Sequence, residues 1–524
     1  MSRRVEIYDV TLRDGTQGEG ISFSVDEKVR ITEKLADLGM DYIEGGWPGS
    51  NERDREYFSR AAGMDFGRSK VSAFSSTRRA GVSCDEDGNL QTLLKTGVGT
   101  ATLVGKAWDF HVAEVLETSL EENLAMINDS VGYLKERMDT VFFDAEHFFD
   151  GFKNNADYAL AACRAAFDAG ADAVILCDTN GGSMPWEVGG AVAEIRKLLG
   201  GDPALGIHAH NDTEQGVSNT LYAVREGVRQ VQGTMNGYGE RCGNANLCSI
   251  MANMSLKLGM DCCNGGLKNL YETAHFINDL ANLNPLKKKA FVGKSAFAHK
   301  GGIHASAVVK NPGTYEHINP ELVGNRRRFL VSDLSGRANI VSKAAETGIT
   351  VEPSDKRVKD ILAELKNLEN KGYEFEGAEA SFELLVRKHL GLYNKRFFVE
   401  DIKTSVIREG KDGEPVSLAE VSVRVDGKIE RREASGNGPV NALDKALRQS
   451  LEGFFPAIRS VRLKDYKVRV VSSAKGTDSV VRVLVESGDG KAVWNTVGVS
   501  ENIVEASWRA LIDSIDYKLL RDEL

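Results

Sequence analysis

The chain has 524 residues, 42% hydrophobic and 27% charged, proportions that allow a large core and exclude wholesale disorder. At that length about three folding units are expected. Its 66 basic against 76 acidic side chains leave a formal charge of −10, which argues against a nucleic-acid coat or a polybasic membrane anchor.

At the N-terminus Arg3, Arg4, Glu6 and Asp9 stand where a signal peptide carries its apolar core. No stretch approaches the ~18 uninterrupted apolar residues of a spanning helix. A cytoplasmic chain with no membrane partner is expected. Short apolar runs at 5–10, 42–44, 71–74, 101–104, 141–143, 173–176, 205–207 and 228–233 read as strands. Between them lie amphipathic helices. Ser24 and Glu27 form a capping box opening the first, Val25, Ile31, Leu35 and Leu38 supply its buried face, and Gly39 ends it. Others are predicted at 154–169, 185–199, 213–226 and 244–258. Eight strands alternating with helices over about 250 residues predict an α/β fold, a closed (β/α)8 TIM barrel at 1–270. A doubly wound open sheet is the competing arrangement.

Residues 271–395 read as a helical connecting subdomain. Ser354 is the expected cap of a helix carrying Val358, Leu362, Leu365 and Leu368 and closed by Gly372; a second helix covers 382–390. The stretch 297–328 lacks periodicity and reads as a connection. Residues 396–524 read as an α+β regulatory domain. Val421, Val423 and Val425 alternate up to the hairpin signal Asp426-Gly427. Val481, Val483 and Val485 alternate before Gly488-Asp489-Gly490. Glycine-containing turns at 436–439 and 498–500 each lead to a helix, about 62 residues apart, a duplicated β–α unit. The seven cysteines are scattered with no C-x-x-C pair, so neither a disulfide framework nor a zinc ribbon is expected.

Chemistry concentrates at strand ends. His208-Ala209-His210-Asn211-Asp212 begins at the end of the seventh strand. Residues two apart on a strand share a face, so both imidazoles can aim into the top of a barrel as a divalent-metal pair. The first strand runs into Thr11-Leu12-Arg13-Asp14-Gly15-Thr16-Gln17 and can supply the acidic partner, Asp14; a solvated Arg–Asp turn is the plain alternative. After the last strand comes Asn236-Gly237-Tyr238-Gly239-Glu240-Arg241-Cys242-Gly243-Asn244-Ala245, glycine-rich like a loop that approaches a ligand closely. Strands 1 and 8 adjoin in a closed barrel, which can bring Asn244 near Asp14. Carboxylate and imidazole donors suit magnesium, manganese or zinc, and two nitrogens lean toward manganese or zinc.

These three motifs, in this order, resemble those of the Claisen-condensing acyl-CoA enzymes, the isopropylmalate, homocitrate and citramalate synthases. The likeness extends through Ala298-His299-Lys300-Gly301-Gly302-Ile303-His304 and Tyr315-Glu316 to the allosteric tail. It implies a metal held by Asp14, His208 and His210, with Asn244 at a more variable fourth position. It implies that Arg13 holds the ketoacid and its developing oxyanion, and that Glu146 is the catalytic carboxylate. Thr179 would bind the ketoacid carboxylate beside Asp144, and His304 and Tyr315 would close over acetyl-CoA. Thr16 replaces the glutamate usual in such a start, and Asp144 and His147 put unusual charge beside Glu146.

Within the family the pattern is most like the long-tailed members that condense acetyl-CoA with pyruvate to give (R)-citramalate for isoleucine synthesis. Trp47, Phe74 and Trp108, near the ends of strands 2 to 4, would narrow the pocket around a methyl group, or are packing residues. Isopropylmalate synthesis from 2-oxoisovalerate, homocitrate synthesis, the reverse lyase reaction and a non-catalytic sensor are the alternatives. The resemblance also implies a homodimer paired through its tails, with isoleucine as feedback inhibitor.

Overall fold

Eight parallel strands close into a barrel in chain order: β1 (Glu6–Asp9), β2 (Tyr42–Gly46), β3 (Lys70–Ser76), β4 (Thr100–Lys106), β5 (Thr140–Glu146), β6 (Ala173–Asp178), β7 (Leu205–Ala209) and β8 (Gln230–Gly233). β1 pairs with β8, Ile7 opposite Val231, and this closure excludes the open sheet. The computed structural model describes residues 4–260, 262–330, 336–352, 354–408, 414–471 and 479–523. The chain divides into two compact units, 1–297 with 318–326, and 298–317 with 327–524.

Alternation along the strands builds two layers. Ile7, Ile43, Phe143, Leu176 and Ile207 belong to the core shared with the surrounding helices. Tyr8, Tyr42, Phe142, Ile175 and Cys177 fill the barrel interior, where Tyr42 and Phe142 meet edge-on at 4.9 Å. With the bottom plugged by aromatics, the inward positions nearer the C-terminal ends are free to be polar.

The helix Val25–Leu38 carries the expected capping box: Ser24 Oγ accepts from Glu27 N–H at 3.3 Å and the Glu27 carboxylate accepts from Ser24 N–H at 2.7 Å. Gly39 ends it at φ 99°, where a Cβ would lie 2.5 Å from the Cys263 carbonyl oxygen. The expected helix at 154–169 is found as Ala156–Asp168, and a separate short helix, Phe148–Asn154, precedes it. Asn155 leaves helical geometry and caps the longer one, accepting from Tyr158 N–H at 3.2 Å. The helix expected from 244 begins at Leu247 under an Asn246 cap, which leaves Asn244 on extended chain. Leu270–Leu280 is a further helix of this unit.

In the second unit β9 (Ala298–His299) pairs in parallel with β10 (Arg328–Phe329). The stretch read as an aperiodic connection holds a helix, Gly302–Lys310. Only Ala305 and Val308 are buried on it, too few to register as a period. The helix Lys356–Asn370 is capped by Asp355, not Ser354: the Asp355 carboxylate accepts from Arg357 N–H at 2.9 Å. The helix Glu379–Leu390 follows.

The tail repeats one motif. β11 (Phe398–Ile407), β12 (Val416–Val425) and β13 (Lys428–Gly436) form an antiparallel sheet followed by the helix Pro439–Leu451. β14 (Arg462–Val470), β15 (Val481–Gly488) and β16 (Val493–Ser500) form another, followed by Ile503–Arg521. Asp426 and Gly427 both take positive φ, 48° and 80°, as a two-residue hairpin turn requires. The two helix starts differ from the expected symmetry. Pro439 opens the first helix. Gly498 lies within β16, and Asn502 caps the second helix, accepting from Val504 N–H at 2.8 Å. Val358, Ile361, Leu365, Phe382 and Val386 of the connecting helices share a core with Val497 and Val499 of β16. Three hydroxyls join the connecting segment to the helix Ile503–Arg521: Ser381 to Asp513 at 2.7 Å, Tyr393 to Asp516 at 2.5 Å and Tyr517 to Glu383 at 3.0 Å. Among the described residues no helix is long and apolar enough to cross a membrane.

Candidate active site

A cavity of about 590 Å³ opens at the C-terminal ends of the barrel strands, the face on which barrel enzymes carry their chemistry. Beyond β1 the Asp9 carboxylate accepts from Thr11 N–H and O–H at 2.9 and 2.8 Å. This folds the chain tightly into a one-turn helix starting at Asp14. Arg13 and Asp14 are thereby turned into the barrel mouth, with Asp14 only 4% exposed, so the solvated-turn alternative falls.

His208 lies within β7 and His210 just beyond it, both buried. Their Nε2 atoms stand 3.2 and 3.9 Å from Asp14 Oδ2, and one ligand atom from each of the three residues lies within 4.8 Å of the others. Asn244 forms a backbone bridge with His210. Its amide donates to the Tyr238 carbonyl at 3.2 Å, while Asn244 Oδ1, Asp14 Oδ1 and His210 Nδ1 are buried without hydrogen-bond partners. Buried polar atoms left unpaired are rare, and three around one carboxylate–imidazole cluster fit a cation. Burial opposes charge on Asp14, yet Arg13 and His208 outweigh it and hold the carboxyl far below the usual range. Burial opposes charge on His208 too, but Asp14 raises it to about 9, whereas burial and His208 push His210 down to about 4. His208 must shed that proton to serve as a ligand.

Arg13 is held from three sides. Its Nε donates to Glu44 Oε2 at 2.5 Å, its Nη1 lies 3.2 Å from Asp14 Oδ2, and its guanidinium sits 4.0 Å over the Phe74 ring. Glu44 is fully buried and also accepts from Tyr8 O–H at 2.8 Å. Phe74 meets Trp47 edge-on at 5.4 Å, and both line the cavity. Trp108 does not line it; its ring stacks on His111 at 5.2 Å.

On the opposite wall Glu146 pairs with Lys106, its register partner on β4, and both line the cavity. Thr179 Oγ1 accepts from the His147 N–H at 2.8 Å, which leaves the hydroxyl proton to donate. His147 holds a left-handed backbone, φ 54°. Asp144, two residues before Glu146 on β5, is buried in the cavity wall. Burial pushes its carboxyl up to about 7, with His208 opposing and Glu44 reinforcing.

The chain matches the HMGL-like family over residues 4–277, the homocitrate synthase post-HMGL domain-like family over 291–373 and the LeuA allosteric (dimerisation) domain over 376–519. It is 54% identical to the (R)-citramalate synthase of Geobacter sulfurreducens, covering 99% of this chain and 98% of that one. Identity to the (R)-citramalate synthase of Aquifex aeolicus is 51%, over 100% and 99%. The chain belongs to the (R)-citramalate synthase family. A 2-isopropylmalate synthase of Methanocaldococcus jannaschii is more distant, 31% identical over 99% of this chain and 96% of its own. Citramalate synthases are condensing acyltransferases, and the HMGL-like enzymes that include them are metal-dependent.

The structure thus brings together eight of the site residues expected from the sequence: Arg13, Asp14, Asp144, Glu146, Thr179, His208, His210 and Asn244. His304 and Tyr315 belong to the second unit, where their exposed rings stack on each other at 4.2 Å. Two buried residues escaped the sequence reading. Glu44 ends a predicted strand with a carboxylate where an apolar residue would suffice. Gln232, with Gln230, puts polar side chains at period two on β8; it accepts from His208 Nδ1 at 2.9 Å and donates to Asp144 Oδ1 at 3.2 Å.

Proposed function

We propose that the chain condenses acetyl-CoA with pyruvate and water to give (R)-citramalate and CoA, the first step of the pyruvate route to isoleucine. The observation that carries this reading is the buried Asp14–His208–His210 cluster beside Arg13, in a chain of citramalate-synthase length and sequence. Asp14, His208, His210 and Asn244 would hold a divalent cation, which would supply Lewis acidity for the ketoacid carbonyl. Two imidazoles in the donor set favour manganese or zinc over magnesium.

The side chains have distinct tasks. Arg13, locked by Glu44 and Asp14, places fixed positive charge where the carbonyl oxygen becomes an alkoxide. The Thr179 hydroxyl donates to the ketoacid carboxylate, with Asp144 beside it. Glu146, paired with Lys106, handles the proton of the acetyl methyl group. Trp47 and Phe74 narrow the wall around the ketoacid substituent, which supports pyruvate over 2-oxoisovalerate. Supplied in turn with acetyl-CoA, pyruvate is expected to release thiol fastest, with 2-oxoisovalerate and 2-oxoglutarate at least tenfold slower in kcat/KM. A chelator is expected to stop all release, and readdition of manganese or zinc to restore it. Faster turnover of 2-oxoisovalerate would reassign the enzyme to isopropylmalate synthesis.

The same reading divides the chain into a catalytic barrel at 1–270, a connecting subdomain at 271–395 and a regulatory domain at 396–524, in a cytoplasmic homodimer. The match to an allosteric dimerisation domain supports paired tails. So do the exposed apolar side chains Val406, Ile407, Val416, Leu418 and Ile429 on the first tail sheet. Isoleucine, the end product, is the proposed inhibitor. Calorimetry on the full chain is expected to show saturable heat with isoleucine and at least tenfold weaker binding of leucine and valine. No heat with isoleucine would leave the tail a dimerisation module only.

A further inference from the structure

The site described above accounts for the ligands and for the side chains facing the substrate, but not for a fully buried amide that joins the two groups. Gln232 lies on β8, in register with His208 on β7, and none of its surface is exposed. Its Oε1 stands 2.9 Å from His208 Nδ1. Its Nε2 donates to Asp144 Oδ1 at 3.2 Å and lies 3.4 Å from Gln230 Oε1. An amide oxygen can only accept, so once His208 sheds its second proton the remaining hydrogen belongs on Nδ1 and the lone pair on Nε2, the atom 3.2 Å from Asp14. The amide nitrogen can only donate, so the same side chain fixes which way the Asp144 carboxyl faces.

We infer that Gln232 is a positioning residue that couples the metal centre to the ketoacid pocket. Through its oxygen it sets the tautomer and ring plane of a metal-ligating histidine, and through its nitrogen it anchors Asp144. This rests on the reading of Asp14, His208 and His210 as metal ligands. Partners that orient a ligating imidazole typically carry a 10–100-fold effect on metal affinity when lost. The strand pairing explains the placement: β7 and β8 are neighbours, and Gln232, in register with His208, reaches its far nitrogen directly across the pair.

Two variants separate the two ends of the amide. Gln232→Met keeps length and burial but removes the hydrogen bonds to His208, Asp144 and Gln230. It is expected to weaken manganese binding by 10–100-fold and to raise KM for pyruvate. Gln232→Glu keeps an acceptor for Nδ1–H but has no N–H for Asp144. It is expected to bind manganese within about threefold of the parent, with KM for pyruvate raised about tenfold and kcat changed less. Manganese affinity is read by calorimetry on the metal-stripped full chain, without substrate, beside a thermal melt of each protein. A side chain that merely packs would shift the melt and leave manganese affinity alone. Unchanged manganese affinity in Gln232→Met would overturn the inference. If Gln232→Met does not fold, Gln232→Glu decides: tenfold weaker manganese binding, or an unchanged KM, overturns it. A parent chain that binds no manganese, zinc or magnesium stoichiometrically rejects the metal reading itself, and the inference with it.

Discussion

His210→Ala should abolish condensation while leaving the barrel folded. The imidazole sits one residue beyond β7, 7% exposed, its Nε2 3.9 Å from Asp14 Oδ2 and its Nδ1 without a partner. Among the described residues no other side chain depends on it for a hydrogen bond, so its removal takes away a ligand and little else. A donor set reduced from four to three, with one of its two imidazoles gone, holds a cation less firmly, and Lewis-acid stabilisation of several kcal/mol goes with it. That corresponds to a fall on the order of 10³-fold in turnover. Thiol release with limiting manganese, beside a thermal melt of the metal-stripped protein, checks both halves. A near-normal rate would reject the ligand assignment.

Arg13→Lys is the second large effect. Arg13 reaches Glu44 with Nε and Asp14 with Nη1 at once, 2.5 and 3.2 Å away, while its plane lies over Phe74. A lysine keeps the charge but has neither the fork nor the plane. It would approach Glu44 or Asp14 and leave the site of the developing alkoxide. Loss of a preorganised donor at such an oxygen costs on the order of 10²–10³ in kcat. The charge builds only as the new carbon–carbon bond forms, so kcat should fall far more than KM rises. Wild-type kinetics in Arg13→Lys would remove Arg13 from this role.

The barrel was legible because each strand is a short apolar run set off by helix caps, and Ser24, Glu27 and Gly39 mark a helix by local chemistry alone. Asp14, His208 and His210 were legible for a similar reason: two imidazoles at period two and a carboxylate just past a strand end need only closure to converge. Glu44 and Gln232 were not. Glu44 is a single polar residue in an apolar strand and has no local signature, while the alternation of Gln230 and Gln232 marks a polar face without saying what it meets; their meaning arises when β1 lies against β2 and β7 against β8. For Trp108 the packing alternative holds, since distance past a strand end does not say which way a ring turns and His111 offers it a stacking partner outside the cavity. The helix Gly302–Lys310 was missed because two small buried side chains, Ala305 and Val308, write no readable stripe.

The core that the connecting helices share with β16 changes what a deletion means. A cut near Arg396 does not detach a module. It strips Val497 and Val499 from Phe382 and Val386, and it leaves Ser381, Tyr393 and Glu383 facing nothing in place of Asp513, Asp516 and Tyr517. The shortened chain would present a raw apolar wound and would sooner clump than report on regulation. The same joint gives the tail leverage in the intact enzyme: whatever shifts the helix Ile503–Arg521 must also drag or unseat the helix Glu379–Leu390, because their hydroxyl and carboxylate contacts leave little slack.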